Sequence, residues 1–301
     1  MEKHYNTLSD YYKRKFGQKI IKLSLDANFS CPNKDGKKGI GGCIFCTHTP
    51  YIGNSKDDLV TQVKKMKDLV KEKSRNAKYI IYLEAGSNTY ASVDKLKSIY
   101  EELIKLDDVV GINIGTRCDC LNDDVMAYLI DLSKRTYLTV ELGLQSCHNS
   151  TLNALHRNHT KEEFSKAVRS LKKAKIDVVV HIINGLPNET EKMMIETAKY
   201  VNSLGINGIK IHMLYVEKDS KFYDLYNKNS FHLLTKEEYI SILAKQLQVL
   251  NKDIVIHRII SNPDIKKLYK PEWLIGKFSL LNDIDKYLCE NNIYQGDLTI
   301  Q

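Results

Sequence analysis

Residues 31–46 read CPNKDGKKGIGGCIFC, and the three cysteines of that stretch, Cys31, Cys43 and Cys46, follow the first apolar, strand-like run of the chain, Ile20 to Leu25. Three thiolates can hold three irons of a 4Fe–4S cluster and leave the fourth iron open to a ligand. A closed structural site normally shows four ligands. Gly36, Gly39, Gly41 and Gly42 let the backbone pass close to a bulky inorganic core and adopt positive φ angles. On spacing alone, a zinc knuckle with His48 as fourth ligand fits equally well.

Around this stretch, from about Asp26 to Lys56, no helical or strand period is evident. A loop that long in a compact domain is usually functional or disordered, and a bound ligand is its natural organiser. Elsewhere the chain is regular. Near-continuous apolar runs predict strands over Ile20 to Leu25, Tyr79 to Leu83, Val109 to Ile114, Tyr137 to Leu142, Val178 to Ile183, Gly208 to Leu214 and Ile254 to Ile256.

Helical stripes lie between the strands: Leu59, Val63, Met66 and Val70; then Leu96, Ile99, Leu103 and Leu106. Phe164, Ala167, Val168 and Leu171 form another, and Ala198, Val201 and Leu204 continue the pattern. Thr160 with Glu163, and Thr235 with Glu238, are capping-box signatures. Repeated strand–helix units predict a (βα) barrel or an open wound sheet. Past Asn262 the strong helical pattern is confined to Phe278 to Leu288, which predicts a cap packed on the barrel.

The 301 residues suit one large domain or two small ones, and an α/β barrel would use that length as a single unit. No segment is apolar for long enough to span a bilayer, and MEKHYNTLSDYYKRKFG has no signal-peptide core, so a cytoplasmic location is expected. Seven cysteines, an odd number, suit a reducing compartment. The formal charge of +8 is mostly lysine, at positions such as Lys64, Lys65, Lys67, Lys71 and Lys73. That reads as a solvated surface, compatible with an anionic substrate such as RNA.

In a parallel βα barrel, reactive groups gather at the C-terminal strand ends. Here Gly86, Ser87 and Asn88 follow the second strand, and Asn113 with Gly115, Thr116 and Arg117 ends the third. Glu141, Gln145 and Ser146 end the fourth, His181 and Asn184 lie in the fifth, and His212 in the sixth. Polar groups at five strand ends, beside a cysteine loop, describe one convergent pocket.

These motifs together resemble the radical S-adenosylmethionine (SAM) enzymes, specifically their YhcC/YtqA-like family, which is related to the Elongator-type radical SAM enzymes. The resemblance runs over nearly the whole chain. It includes YNTLSDYYKRKFG, CPNKDG, GGCIFC, SNTYAS, GTRCDCL, VELGLQS, HIINGLPNET, KIHML and QGDL. It implies an α/β fold, a partial (βα)6 TIM-type barrel over residues 1–258 with a small C-terminal cap over 259–301. It also implies a 4Fe–4S cluster on Cys31, Cys43 and Cys46, with SAM chelating the open iron and being reductively cleaved to a 5′-deoxyadenosyl radical. An electron donor such as flavodoxin or ferredoxin is the implied partner, with no membrane.

Residue roles follow from the same resemblance. The backbone around Gly86, Ser87 and Asn88 would meet the methionyl amine, Glu141 the ribose hydroxyls, and Arg157 the methionyl carboxylate. Gln145 and Ser146 would support the ribose or sulfonium region, with His181, Leu186 and Leu214 bordering the adenine. The other reading of Glu141 is a buried carboxylate paired structurally with a lysine or arginine.

The chain departs from the family pattern in places. The family usually has glycine where this chain has Asn28, Asn158 and Asn188, and asparagine tolerates the left-handed region. Cys118 replaces a proline. Cys118, Cys120 and Cys147 are expected to be small apolar packing, the alternative being a second metal.

The substrate implied by the relatives is a tRNA wobble-uridine side chain, the alternative a small metabolite. His257, Arg258, Trp273 and QGDL would form a substrate wall or pack the cap. From another class, a zinc-stabilised RNA-binding module without redox chemistry is the competing expectation.

Overall fold

The computed structural model describes residues 3–46, 57–73, 75–218, 220–228 and 231–299. The chain runs α1 (Leu8–Phe16), β1 (Ile20–Leu25), α2 (Leu59–Leu69), β2 (Lys78–Leu83), α3 (Val93–Leu103), β3 (Val109–Thr116) and α4 (Asp123–Ser133). It continues β4 (Tyr137–Gln145), α5 (Asn149–Ala154), α6 (Lys161–Lys173), β5 (Asp177–Asn184), α7 (Glu191–Ser203) and β6 (Gly208–Met213). Then come β7 (Val216–Glu217), α8 (Lys221–Asn227), α9 (Lys236–Val249), β8 (Val255–Arg258), β9 (Leu268–Lys270) and α10 (Lys277–Glu290).

Seven strands form one parallel sheet in the order β1-β2-β3-β4-β5-β6-β8, curled into a partial barrel whose edges, β1 and β8, do not pair. The expected runs each fall on one of these strands. Strand alternation sorts their side chains. Leu23, Val140, Leu142, Val178, Val180, Ile209 and Ile211 join the core under the helices. Glu141 and His181 point the other way, onto a cavity inside the curl. The polar interruptions at Glu141 and His181 thus mark the inner face of the barrel, while Asn184 turns outward to Gln246 of α9.

The stripe helices are α2, α3, α6 and α7, and both capping boxes are formed, at the starts of α6 and α9. A short antiparallel pair, β7 with β9, has no counterpart in the sequence reading. Strands of two and three residues are too brief to show a period. Leu280, Ile284 and Leu288 of α10 share the main apolar core with Tyr239 and Leu243 of α9. Trp273 packs on Tyr239, and Gln295 Nε2 donates to the Asn251 and Ile254 carbonyls. Both residues therefore pack the cap, the second of the two expectations for them. Asn28, Asn158 and Asn188 all take positive φ, +56°, +53° and +65°, as expected of stand-ins for glycine.

Candidate functional site

A cavity of about 540 Å³ opens within the curl of the sheet, and Cys31, Cys43 and Cys46 all stand on its wall. Their loop is tied from several sides. Asn33 donates through Nδ2 to Cys43 Sγ at 3.2 Å and to the His156 carbonyl at 2.6 Å. Arg157 donates through Nη1 to the same Sγ at 3.3 Å. Burial alone would push the Cys43 thiol up, but the Arg157 charge and hydrogen bond, with Asn33, hold it below its ordinary value. Cys46 is raised, because burial there outweighs Lys34. On the far side of the loop, Ile44 and Phe45 pack into a second apolar cluster with Phe222 of α8 and Tyr269 of β9.

Arg157 uses its remaining donors on the protein: Nε to His159 Nε2 at 3.2 Å and Nη2 to the Gly143 carbonyl at 2.6 Å. His159 can accept because burial, then the charges of Arg157 and Arg117, bring its pKa down to about 3 and keep it neutral. Arg157 therefore lines the cavity with all three nitrogens engaged.

Gly86 and Ser87 also line the cavity. Gly86 lies at φ +77°, and a Cβ there would stand 2.2 Å from the Phe29 carbonyl oxygen. Only glycine permits that approach, which lets Ser87 N–H donate to the Ser30 carbonyl at 3.0 Å and closes the loop. Asn88 is a strut instead. Its Nδ2 donates to the carbonyls of Leu83, Ala85 and Gly115, joining the ends of β2 and β3.

Deeper inside, Glu141 reaches the cavity with a carboxylate that is already surrounded. Lys22 Nζ lies at 3.1 Å, Lys210 Nζ at 2.6 Å, His181 Nε2 at 2.8 Å and Asn113 Nδ2 at 3.0 Å. Burial would raise it, yet Lys210, then Lys22 and His181, hold it well below the usual carboxylate range. Burial brings Lys210 down to about 8, against the pull of Glu141. Lys210 also donates to the Tyr82 hydroxyl at 2.7 Å. Glu141 is thus engaged in the structural pairing that was the alternative reading of it.

A smaller cavity of about 210 Å³ adjoins the first and shares Phe45, Cys46, Gln145 and His181 with it. Leu214 and His212 line it. Leu186 is buried in the apolar cluster of Phe222. Ser146 is fully buried; its hydroxyl donates to Glu189 and accepts from the His148 N–H.

The structure thus brings Gly86, Ser87, Glu141, Gln145, Arg157, His181 and the three cysteines to one connected space, with Leu214 on its second lobe. Asn88, Ser146 and Leu186 stand behind it. Cys118 and Cys147 lie in the main core, and burial drives Cys118 and Cys120 up to about 12, so these thiols are packed and protonated. His48 lies outside the described residues. Among the described residues no group of three His, Cys, Asp or Glu side chains is gathered as for a single metal ion. The sequence reading did not single out Asn33, His159, Lys22 or Lys210. The two lysines had a signal, since each interrupts an apolar strand run, in IIKLSL and GIKIHM.

Comparison with known proteins agrees with this architecture. Residues 38–201 match the Radical SAM superfamily and residues 206–290 the Radical_SAM C-terminal domain. The chain is 42% identical over 298 residues to the uncharacterized protein YtqA of Bacillus subtilis (strain 168), covering 98% of this chain and 92% of that protein. The archaeal Elp3 of Methanocaldococcus infernus, solved with an N-terminal deletion, superposes with a TM-score of 0.69 at 15% identity. That match covers 92% of this chain and 64% of the other, and it shows a common fold. A tRNA uridine(34) acetyltransferase of Methanocaldococcus infernus is 26% identical over 153 residues, half of this chain and 28% of that protein.

Proposed function

This chain belongs to the radical SAM superfamily and its YhcC/YtqA-like family, and from that premise we propose that it modifies tRNA, with a wobble-uridine side chain as substrate. Superfamily members are enzymes that use a 4Fe–4S cluster and SAM, which replaces the zinc-module alternative. When bound, these cofactors supply the reductive cleavage of SAM to methionine and a 5′-deoxyadenosyl radical that takes a hydrogen atom from substrate.

The observation that carries the site assignment is the set of three thiols on one cavity wall, one of them held below its ordinary pKa by Arg157 and Asn33. That donor set suits a cluster with one open iron. In this reading Cys31, Cys43 and Cys46 hold the cluster, and Gly86 and Ser87 leave backbone open to the methionyl amine. Arg157 fixes Cys43. Gln145, His181 and Leu214 border the nucleoside in the smaller lobe. Glu141, locked by its four donors, fixes His181 and Lys210 rather than offering a free carboxylate. The barrel wall would shield the bound cofactors and the substrate hydrogen from water.

The tRNA assignment draws support from the partial relationship to a tRNA(34)-acting protein and from the charge of +8. A small carrier such as flavodoxin or ferredoxin is the proposed electron source. The test has two stages. Oxygen-protected protein should be brown and contain iron and sulfide, and with dithionite and SAM it should release 5′-deoxyadenosine; Cys43→Ala should abolish that release. Nucleosides of tRNA from cells with and without the gene should then differ at the wobble uridine. Identical profiles would remove the tRNA substrate and leave a small metabolite.

A further inference from the structure

Arg117 stands at the end of β3 on the wall of the main cavity, with only 4% of its surface exposed. Its Nε and Nη2 each hold an oxygen of Asp119 at 2.8 Å, and Nη2 also donates to the Arg157 carbonyl at 2.8 Å. Nη1 is buried and meets no acceptor. An unpaired donor on a buried cation is costly, so a missing acceptor is implied.

The neighbouring charges indicate which acceptor. Besides Asp119, the groups that act on this guanidinium include the thiols of Cys31 and Cys43. Asp119 is shared with Lys38 of the cysteine loop, whose Nζ lies 2.8 Å away. One carboxylate thus faces two cations, and a positive charge is left over beside the cysteines. Arg157 differs, having an acceptor on every nitrogen, with Nη1 already on Cys43 Sγ.

Resting on the reading that the three cysteines hold a cluster, we propose that Arg117 is a positioning residue of the iron–sulfur centre. Its spare Nη1 serves as a donor to cluster sulfur, and its surplus charge raises the centre's reduction potential. Hydrogen bonds to the sulfurs and local net charge are what set such potentials. An added electron makes the cluster more anionic, so a fixed cation beside it favours the reduced form.

The test is the midpoint potential of the anaerobic, cluster-loaded full chain, followed by EPR during a redox titration. Arg117→Met is expected to lower it. At the poise where the unaltered protein is half reduced, the reduced-to-oxidised ratio should fall at least tenfold, a shift of about 59 mV for one electron. Asp119→Asn leaves the guanidinium and removes its opposing charge, so the midpoint should move the other way. Simple loss of packing does not produce opposite shifts. Arg117→Lys should fall between, and Arg135→Met, at a surface pair with Glu101, should change nothing.

An unchanged midpoint in loaded Arg117→Met, or a downward shift in Asp119→Asn, overturns the proposal. If Arg117→Met carries no cluster, the sign of the Asp119→Asn shift decides alone: upward supports the proposal, unchanged or downward overturns it. Absence of iron and sulfide from the unaltered protein would overturn the reading of the site itself and this inference with it. A cluster whose midpoint ignores these changes would remove only the inference.

Discussion

Glu141 and Lys210 meet at 2.6 Å inside the barrel, with side chains exposed to 0% and 3%. Lys22 shares the same carboxylate from β1. Glu141→Gln would leave two ammonium groups without their common anion. Removing one partner of a buried pair costs about 3 kcal/mol or more, a fall in Tm of roughly 6 °C. Lys22→Met, which leaves Lys210 on the carboxylate, should cost less. Thermal unfolding of the two variants ranks them, and equal losses would mean that Lys210 is not the dominant partner.

His159 gives stability a dependence on acid. Its folded pKa is near 3, well below the ordinary 6.5, so between these values the unfolded chain binds a proton that the folded chain refuses. Stability should therefore fall as pH drops from 6.5 toward 3. Asp119, held to about 2 because Arg117 and Lys38 outweigh its burial, adds a loss only below its ordinary 3.8. His159→Gln keeps an acceptor for Arg157 Nε and removes the titration. Urea unfolding across that window should show a slope flatter by up to about 1.4 kcal/mol per pH unit. An unaltered slope would place the acid sensitivity elsewhere.

Arg157→Met removes the charged hydrogen bond to Cys43 together with the tie to Gly143. A hydrogen bond to a charged group contributes about 1.5–3 kcal/mol, which corresponds to roughly ten- to a hundredfold. Release of 5′-deoxyadenosine should fall by that factor, together with iron content. Full iron content with a raised KM for SAM would instead return Arg157 to the methionyl carboxylate, the role its family resemblance implies.

Gly86 and Gly205 share a left-handed backbone but not their surroundings. A Cβ on Gly86 meets the Phe29 carbonyl oxygen at 2.2 Å, while one on Gly205 meets nothing within 4 Å. Gly205→Ala should cost about 1–2 kcal/mol from conformation alone. Gly86→Ala should cost more, since β1 and β2 loops must also part, and SAM binding should weaken with it. Calorimetric titration and thermal unfolding of both variants check the contrast. Equal costs would show that the Phe29 approach relaxes freely.

Much of this molecule was legible in its sequence. The expected strands lie within a few residues of β1 to β6 and β8 because parallel strands under helices are apolar runs of the right length. The cysteine loop also meets Gly86, Ser87, Glu141, Gln145 and His181 at one cavity, whereas Asn88, Ser146 and Asn184, expected with them, turn to partners behind it. What sequence concealed was pairing. Nothing local joins Glu141 to Lys22 and Lys210, or Arg157 to Cys43, because these meetings are set by the curl of the sheet. The same holds for β7 and β9, whose partnership crosses a long stretch of chain.

Phe45 lies between Cys43 and Cys46 in sequence and packs, in space, on the buried cluster of Leu155, Leu186, Leu214, Val216 and Phe222. The wall that seats this loop is therefore synthesised well after it, from Leu155 through to Phe222 of α8. A ribosome-bound fragment ending before β5 would carry all three cysteines without most of that backing, so loading of inorganic components should trail emergence of the loop by more than a hundred residues.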